Sequence, residues 1–211
     1  MWKHTSRLGF TLPQIDTVLA YYAEKSYQIY YKEYLQIAKQ LCSDLDEDWI
    51  PGELTVATAQ AYANNKVYRD FEQGFQSWEY VFNTVGSSRG DYPFIACSFG
   101  IDQSRFGKMA TEVILKVRAG GQGKAGYKKP VLFPKLTFLY DEELHGEGEP
   151  MEYLFDIAVD CSSKCMYPDF LSMRGEGYIP SMYKKYGKVV SLMGKSIAHI
   201  KPCELINVRC A

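Results

Sequence analysis

The sequence has no apolar run approaching the roughly 20 residues that span a bilayer. Its first residues, Met1-Trp2-Lys3-His4-Thr5, lack the apolar core of a secretion signal. A cytoplasmic chain with no membrane contact is therefore expected. It also lacks a charge excess: 24 basic residues face 25 acidic ones, for a net charge of -1. No bulk field draws it to nucleic acid or to an anionic membrane. A small phosphate-bearing ligand stays open, because such a site needs only a few local donors. Histidine is scarce, at three residues (His4, His145, His199). No internal repeat or low-complexity tract is present. The six cysteines (Cys42, Cys97, Cys161, Cys165, Cys203, Cys210) are scattered through a chain too large to need staples. Free thiols in a reducing compartment are the expectation.

What is present fits a globular domain. The hydrophobic fraction is 46% and the charged fraction 23%, enough for a core in a chain of 211 residues. Tyrosine is abundant, and Tyr21, Tyr22, Tyr27, Tyr30, Tyr31 and Tyr34 crowd one stretch. Half-buried helix packing explains them better than a partner surface does. Thr11, Pro13 and Gln14 read as a helix start, with Thr11 capping. The period of Ile15, Val18, Leu19, Tyr22, Ile29, Tyr30, Tyr34, Ile37, Ala38 and Leu41 predicts a helix over 12–42. An acidic loop with Pro51-Gly52 follows. A second helix is predicted over 55–84, with Phe71, Phe75, Trp78 and Phe82 on one stripe.

A buried strand is predicted over 93–99. A third helix over 103–119 turns Phe106, Met109, Val113, Ile114 and Val117 inward. Residues 120–129 read as a flexible loop. A strand over 131–140 is interrupted by Pro134, which removes a ladder donor and predicts an edge, a bulge or a strand end. An exposed acidic loop over 141–150, a fourth helix over 151–165 and a strand over 188–193 complete the series. Helices alternating with single strands predict an α/β fold of crossover units, rich in long helices. Strands are few for this length, which fits part of a barrel better than a complete doubly wound sheet.

Few motifs carry chemistry. Gly120-Gly121-Gln122-Gly123-Lys124 lacks the glycine spacing of a phosphate loop, follows a helix, and has Ala125 where Ser or Thr belongs. Cys161 and Cys165 lie one helical turn apart, but no third ligand is near in sequence, so buried thiols are favoured over a metal site. Arg89-Gly90-Asp91 spells an adhesion tripeptide by chance. The loop over 83–93 is more interesting. It joins a long helix to a buried strand and offers Asn83, the hydroxyls of Ser87 and Ser88, the Arg89 guanidinium and the backbone of Gly90. That set suits a nucleotide phosphate, although a plain connecting loop explains it too. No Ser-His-Asp pattern and no paired carboxylates mark an acid–base couple.

Several ordered blocks resemble a known family. Phe71-Glu72-Gln73-Gly74-Phe75-Gln76-Ser77-Trp78-Glu79-Tyr80-Val81-Phe82-Asn83-Thr84-Val85, followed by Ser88-Arg89-Gly90, resembles the helix and loop of anaerobic (class III, glycyl-radical) ribonucleoside-triphosphate reductases. Phe133-Pro134-Lys135-Leu136 with Phe138, and Cys161-Ser162-Ser163-Lys164 with Met166-Tyr167-Pro168-Asp169, resemble the next two blocks. Thr5 to Leu12 fits an upstream block, and Val189-Val190-Ser191-Leu192-Met193-Gly194 resembles the approach to the active-site loop. The resemblance covers about residues 2–194. It speaks against the formate-lyase type of glycyl-radical enzyme.

The resemblance implies a ten-stranded α/β barrel around a finger loop, of which residues 1–194 would form a partial, N-terminal part. It implies reduction of ribonucleoside triphosphates to deoxyribonucleotides. A glycyl radical, installed by a radical-SAM activating protein, oxidises a finger-loop cysteine whose thiyl abstracts the ribose 3′ hydrogen. Formate supplies electrons in many members. Deoxynucleotide effectors bind near a homodimer interface, and the loop over 84–92 would belong to that apparatus. Asn83, Ser87, Ser88, Arg89 and Gly90 are accordingly the expected effector contacts.

The departures are as informative. In the family, the Met-Gly pair is followed by the thiyl cysteine. Here Met193-Gly194 is followed by Lys195, so no catalytic residue is expected in this chain. Residues 195–211 resemble nothing in the family and read as an irregular tail. The glycyl-radical segment and the zinc-binding cysteines fall outside the sequence, so no metal and no resident cofactor is expected. An internal fragment, inactive alone and derived from an interrupted or split gene, is the leading expectation. The alternative is a non-catalytic module that binds nucleotide effectors or assembles with a complementing half.

Overall fold

A computed structural model describes residues 10–42, 49–84 and 95–186. The elements run β1 (Phe10–Leu12), α1 (Ile15–Cys42), α2 (Glu53–Thr84), β2 (Ile95–Phe99), α3 (Arg105–Gly120), β3 (Lys135–Tyr140), α4 (Glu142–His145), α5 (Glu152–Cys165), β4 (Asp169–Ser172) and α6 (Tyr178–Tyr186). Among the described residues the strands form one parallel sheet in the order β1-β2-β3-β4. An α/β fold of helical crossovers, rich in long helices, is what the sequence led us to expect.

Strand alternation divides the sheet into two faces. Cys97, Phe99, Leu136 and Phe138 point into the main core, where they meet Phe75 of α2, Val113, Ile114 and Val117 of α3, and Leu154, Ala158 and Cys161 of α5. Ile15 and Leu19 of α1 pack against the same cluster. Phe138 sits at its centre, with ring centroids of Phe99, Phe155 and Phe170 at 6.2, 6.3 and 5.9 Å. Each fully buried large apolar side chain here contributes about 1.5–3 kcal/mol. The opposite face carries a smaller cluster of Leu139 and Met173 with Ile101, Leu171, Ile179 and Tyr183. Ser98, Thr137 and Asp169 form a row across it, in register.

The stripe Phe71, Phe75, Trp78 and Phe82 exists as a run of ring contacts at 6.0, 6.2 and 5.1 Å along α2. Helix α3 buries Phe106, Val113, Ile114 and Val117, with Met109 half-buried. Ser104 caps it by accepting from Gly107 N at 3.1 Å. Pro134 marks a strand end, since β3 starts at Lys135.

Four expectations are corrected. Thr11 does not cap a helix; it lies in β1, paired with Ala96. Pro13 drives the residue before it toward extended backbone, so Leu12 ends a strand. Gln14 then makes the turn at φ 49°, its amide donating to Ser98 Oγ at 3.2 Å. Second, the inward stripe of α1 includes Ala23 and Tyr27, while Val18, Tyr22 and Ile29 are more than half exposed. The helix has two apolar faces, and small Ala23 lies where α1 meets α2 and α3. Third, residues 141–150 are not simply an exposed loop. Asp141 caps the short α4, accepting from Glu143 N at 3.1 Å, and both Asp141 and His145 are buried. Fourth, the residues between α5 and the strand expected over 188–193, for which no element is expected, hold β4 and α6. The strand expected over 188–193 lies outside the described residues.

Candidate functional site

Of the expected nucleotide contacts, Asn83 is described and Ser87, Ser88, Arg89 and Gly90 lie outside the described residues, as does Lys195. Asn83 stands in the last turn of α2. Its Nδ2 donates to the carbonyls of Glu79 at 2.7 Å and Phe133 at 2.6 Å. Its Oδ1 accepts from the amides of Leu132 at 3.2 Å and Phe133 at 3.1 Å. The side chain is thus committed to the segment that leads into β3.

A fully buried ion pair lies one turn earlier. Glu79 of α2 accepts from Arg118 Nε of α3 at 2.5 Å, and both side chains are essentially inaccessible. Arg118 Nη2 donates to the Pro134 carbonyl at 2.9 Å. Gln122 Nε2 reaches Glu79 Oε2 at 3.4 Å and the Gln76 carbonyl at 3.2 Å. This explains the segment after α3. Gly121, at φ 67°, caps the helix through its amide to the Arg118 carbonyl, and Gln122 bridges Lys129. The expected flexible loop is a bridged turn anchored on α2.

The thiols are quiet. Burial pushes the Cys161 thiol up to about 12, with the neighbouring Cys165 adding to it. Burial also pushes the Cys97 thiol well above the usual thiol range. Thiols held protonated are poor nucleophiles and poor metal ligands. Cys161 belongs to the core, whereas half-buried Cys165 donates to the Arg118 carbonyl at 3.4 Å. Among the described residues no group of three or more His, Cys, Asp or Glu could hold a metal ion. The Cys161–Cys165 pair therefore does not fit a zinc site.

A second polar cluster lies at the C-terminal ends of the strands, where open parallel sheets bind ligands. Asp16, buried at the start of α1, accepts from Gly100 N at 2.8 Å and Asp102 N at 3.2 Å. His145 Nε2 donates to the Gly100 carbonyl at 2.8 Å. That assigns the ring a neutral tautomer whose Nδ1 accepts from Asp141 N at 3.1 Å. Arg174, just past β4, pairs with Asp141 and Glu143. Burial raises the Asp16 carboxyl above its ordinary 3.8 and lowers His145 below its ordinary 6.5.

The sign of the His145 effect follows from burial, which outweighs the opposing hydrogen bonds to Gly100 and Asp141. Below 6.5 the unfolded chain takes up a proton that the folded imidazole refuses. Its contribution is therefore complete above 6.5 and is lost as pH falls through the lowered value. Asp16 runs the other way, its contribution present below 3.8 and lost as pH rises through its raised value. The His145 contribution to urea midpoints should fall for the native chain between about pH 7.5 and about pH 5. The fall should be smaller for His145→Gln, whose amide can still donate to Gly100. Equal slopes would remove this assignment.

Sequence reasoning missed Glu79, Arg118, Asp16 and His145. Charged residues in an amphipathic helix read as solvent-facing, and no local signal contradicts that for Glu79 or Arg118. Asp141 followed by Glu142 and Glu143 was a legible helix start, with a capping carboxylate and acidic first turn.

The described elements define a segment of a parallel α/β sheet with long helices packed on it. Comparison with known proteins makes it specific. The family model of anaerobic ribonucleoside-triphosphate reductase matches residues 7–198. The chain is 33% identical over 165 residues to the anaerobic ribonucleoside-triphosphate reductase of Escherichia coli (strain K12), covering 78% of this chain and 20% of that protein. The enzyme of the same name from Haemophilus influenzae is 34% identical, with 78% and 21% covered. That of Enterobacteria phage T4 is 30% identical over 167 residues, with 79% and 24% covered. The chain belongs to the anaerobic ribonucleoside-triphosphate reductase family. It spans about a fifth of the length of the curated relatives it matches.

Proposed function

We propose that this chain supplies part of the barrel wall of an anaerobic ribonucleoside-triphosphate reductase, which reduces ribonucleoside triphosphates to deoxyribonucleoside triphosphates by glycyl and thiyl radical chemistry. The strand order carries this reading. β1 to β4 are parallel and lie in chain order, with α1, α2, α3 and α5 packed on one face and the short α6 against part of the other. A doubly wound sheet reverses its strand order and covers both faces with helices. A barrel wall keeps chain order and turns its other face inward. A partial ten-stranded barrel over residues 1–194 is consistent with that order.

This chain is catalytically silent by itself. Thiyl chemistry needs an S–H bond, and Met193-Gly194 is followed by Lys195, whose ammonium has none. The glycyl radical, its radical-SAM activating protein and the zinc site belong to other parts of the machinery. What the chain contributes is positioning and nucleotide contact. Ser87, Ser88, Arg89 and the Gly90 backbone would take the phosphates of a deoxynucleotide effector, while Asn83 holds the end of α2 to the segment before β3. Val18, Tyr21, Tyr22 and Ile29 expose apolar surface along α1, which favours a homodimer or a complementing half.

An anaerobic assay with activating protein, formate and a chain supplying the remaining barrel tests the first reading. Turnover is expected only with the complement present. Turnover by this chain alone would defeat the claim of silence, and none with the complement would defeat assembly. Lys195 also favours a second reading, a non-catalytic effector-binding module. Calorimetry with deoxynucleoside triphosphates tests it, and Arg89→Ala should weaken binding about tenfold or more by removing a charge-assisted bond. No heat at about millimolar ligand, where even a binding free energy near -4 kcal/mol registers, would reject nucleotide binding.

A further inference from the structure

The turn after α3 is closely specified and buries nothing. Gln122 and Lys129 exchange both backbone bonds, at 2.9 and 2.8 Å, and the Tyr127 amide donates to the Lys124 carbonyl at 2.9 Å. Gly121 and Gly123 have φ 67° and 132°, and a Cβ on them would lie 2.7 Å from the Lys129 carbonyl oxygen and 2.9 Å from that of Tyr127. Both positions therefore need glycine. The Gln122 side chain ties the base of the turn to α2. Yet residues 123–130 are all exposed, and Tyr127 is 82% exposed. A shape held this closely without burial is explained by what it presents, not by packing.

It presents positive charge. Lys124, Lys128 and Lys129 lie on it, and among the described residues none of the three is in an ion pair. A cavity of about 100 Å³ opens at its foot, between α2 and α3, with Lys116 and Lys128 in its wall beside Tyr68, Glu72 and Gln76. Lys128 reaches over the end of α3, its Nζ 4.0 Å from where a Cβ on Gly120 would lie. One cation there offsets the carbonyl end of the helix, which leaves Lys124 and Lys129 without a role. Lys116 pairs with Glu112 along α3, a half-exposed contact that a stronger anion can displace.

The cavity is too small for a nucleoside-sized ligand, which needs roughly 300 Å³ or more. It admits one compact oxyanion. Lysine ammonium groups act as point charges with several donors, which suits the tetrahedral oxygens of phosphate.

We propose that the cleft between Lys116 and Lys128 binds a phosphate group, either as a free ion or as the end of a larger molecule lying along Lys124, Tyr127 and Lys129. Glu72, in the same wall, limits the affinity by repelling the anion. The site is separate from the nucleotide contacts proposed above and does not depend on them.

Titration of the full 211-residue chain with pyrophosphate at low salt, followed by backbone amide shifts, tests this. Saturable shifts should be confined to 120–129 and the adjoining turns of α2 and α3. Lys116→Gln and Lys128→Gln should each weaken binding about tenfold by removing a charge-assisted bond. Arg89→Ala and Lys32→Gln should leave it unchanged. Glu72→Gln should tighten it about threefold, a gain that no loss of folding can imitate. A nucleoside triphosphate separates the two sources: additional shifts at Tyr127 mark the larger ligand, and their absence marks the free ion. No saturation by about 10 mM pyrophosphate, or binding that ignores both cleft lysines, overturns the proposal. Loss of binding in Arg89→Ala overturns it by placing the anion elsewhere. Diffuse shifts at every exposed lysine, equal in all variants, overturn it as counterion association.

Discussion

Replacing Arg118 with methionine is expected to cost about 3–5 kcal/mol of folding stability, among the largest effects of any single change in this chain. The reason is asymmetric. With both partners present, the buried carboxylate of Glu79 faces a guanidinium at 2.5 Å. With Arg118 gone, Glu79 keeps only the long contact from Gln122 at 3.4 Å, and the Pro134 carbonyl loses its donor. An uncompensated charge then sits in the core between α2 and α3. The pair as a whole contributes far less than this, because burying two charges costs nearly what their attraction returns. The double variant Glu79→Met with Arg118→Met should therefore recover most of the loss. Urea unfolding of the two single variants and the double variant measures this as a coupling energy. An Arg118→Met chain within about 1 kcal/mol of the native one would show that the site admits water, and the buried-pair account would fall.

That pair also shows where legibility in the sequence ends. The aromatic stripe of α2 and the inward face of α3 were readable because each repeats at the helical period over several turns. β1 was not, because three residues carry no period, and its neighbour Pro13 reads equally well as a helix start. Tertiary pairing with β2 decides the matter. The two faces of α1 were readable as apolar but not as inner and outer, since that depends on which small residue lets α2 approach. Glu79 and Arg118 are 39 residues apart and each looks solvated in isolation. They become a pair only when α2 and α3 cross. The stretches that carried the family resemblance are nonetheless the ones the fold joins. Residues 71–85 hold Glu79 and Asn83, and residues 133–136 hold the carbonyls of Phe133 and Pro134 that accept from Asn83 and Arg118. Of the expected nucleotide contacts, only Asn83 has a described environment, and that environment is backbone.

Gly100→Ala is the other change expected to be severe, at about 3 kcal/mol. Gly100 ends β2 at φ 121°, a conformation that L side chains rarely adopt. A Cβ there would lie 3.1 Å from the Leu139 carbonyl oxygen and 3.2 Å from the Phe138 ring. Neither neighbour can yield, because Leu139 is in the sheet and Phe138 is wedged among Phe99, Phe155 and Phe170. Moving the backbone instead would pull the Gly100 amide from Asp16 and its carbonyl from His145. Gly126 provides the control. It also has a positive φ, 83°, but a Cβ there meets nothing within 4 Å. Gly126→Ala should cost only the conformational part, about 1 kcal/mol. Urea unfolding of both variants separates strain from crowding, and equal losses would mean that the packing around Gly100 contributes nothing. If the losses differ as expected, the hydrogen-exchange signature of Gly100→Ala should appear at three places. These are the start of α1, the turn after β2 and α4, because Asp16 and His145 hold those segments to one residue, Gly100, at the C-terminal end of the sheet.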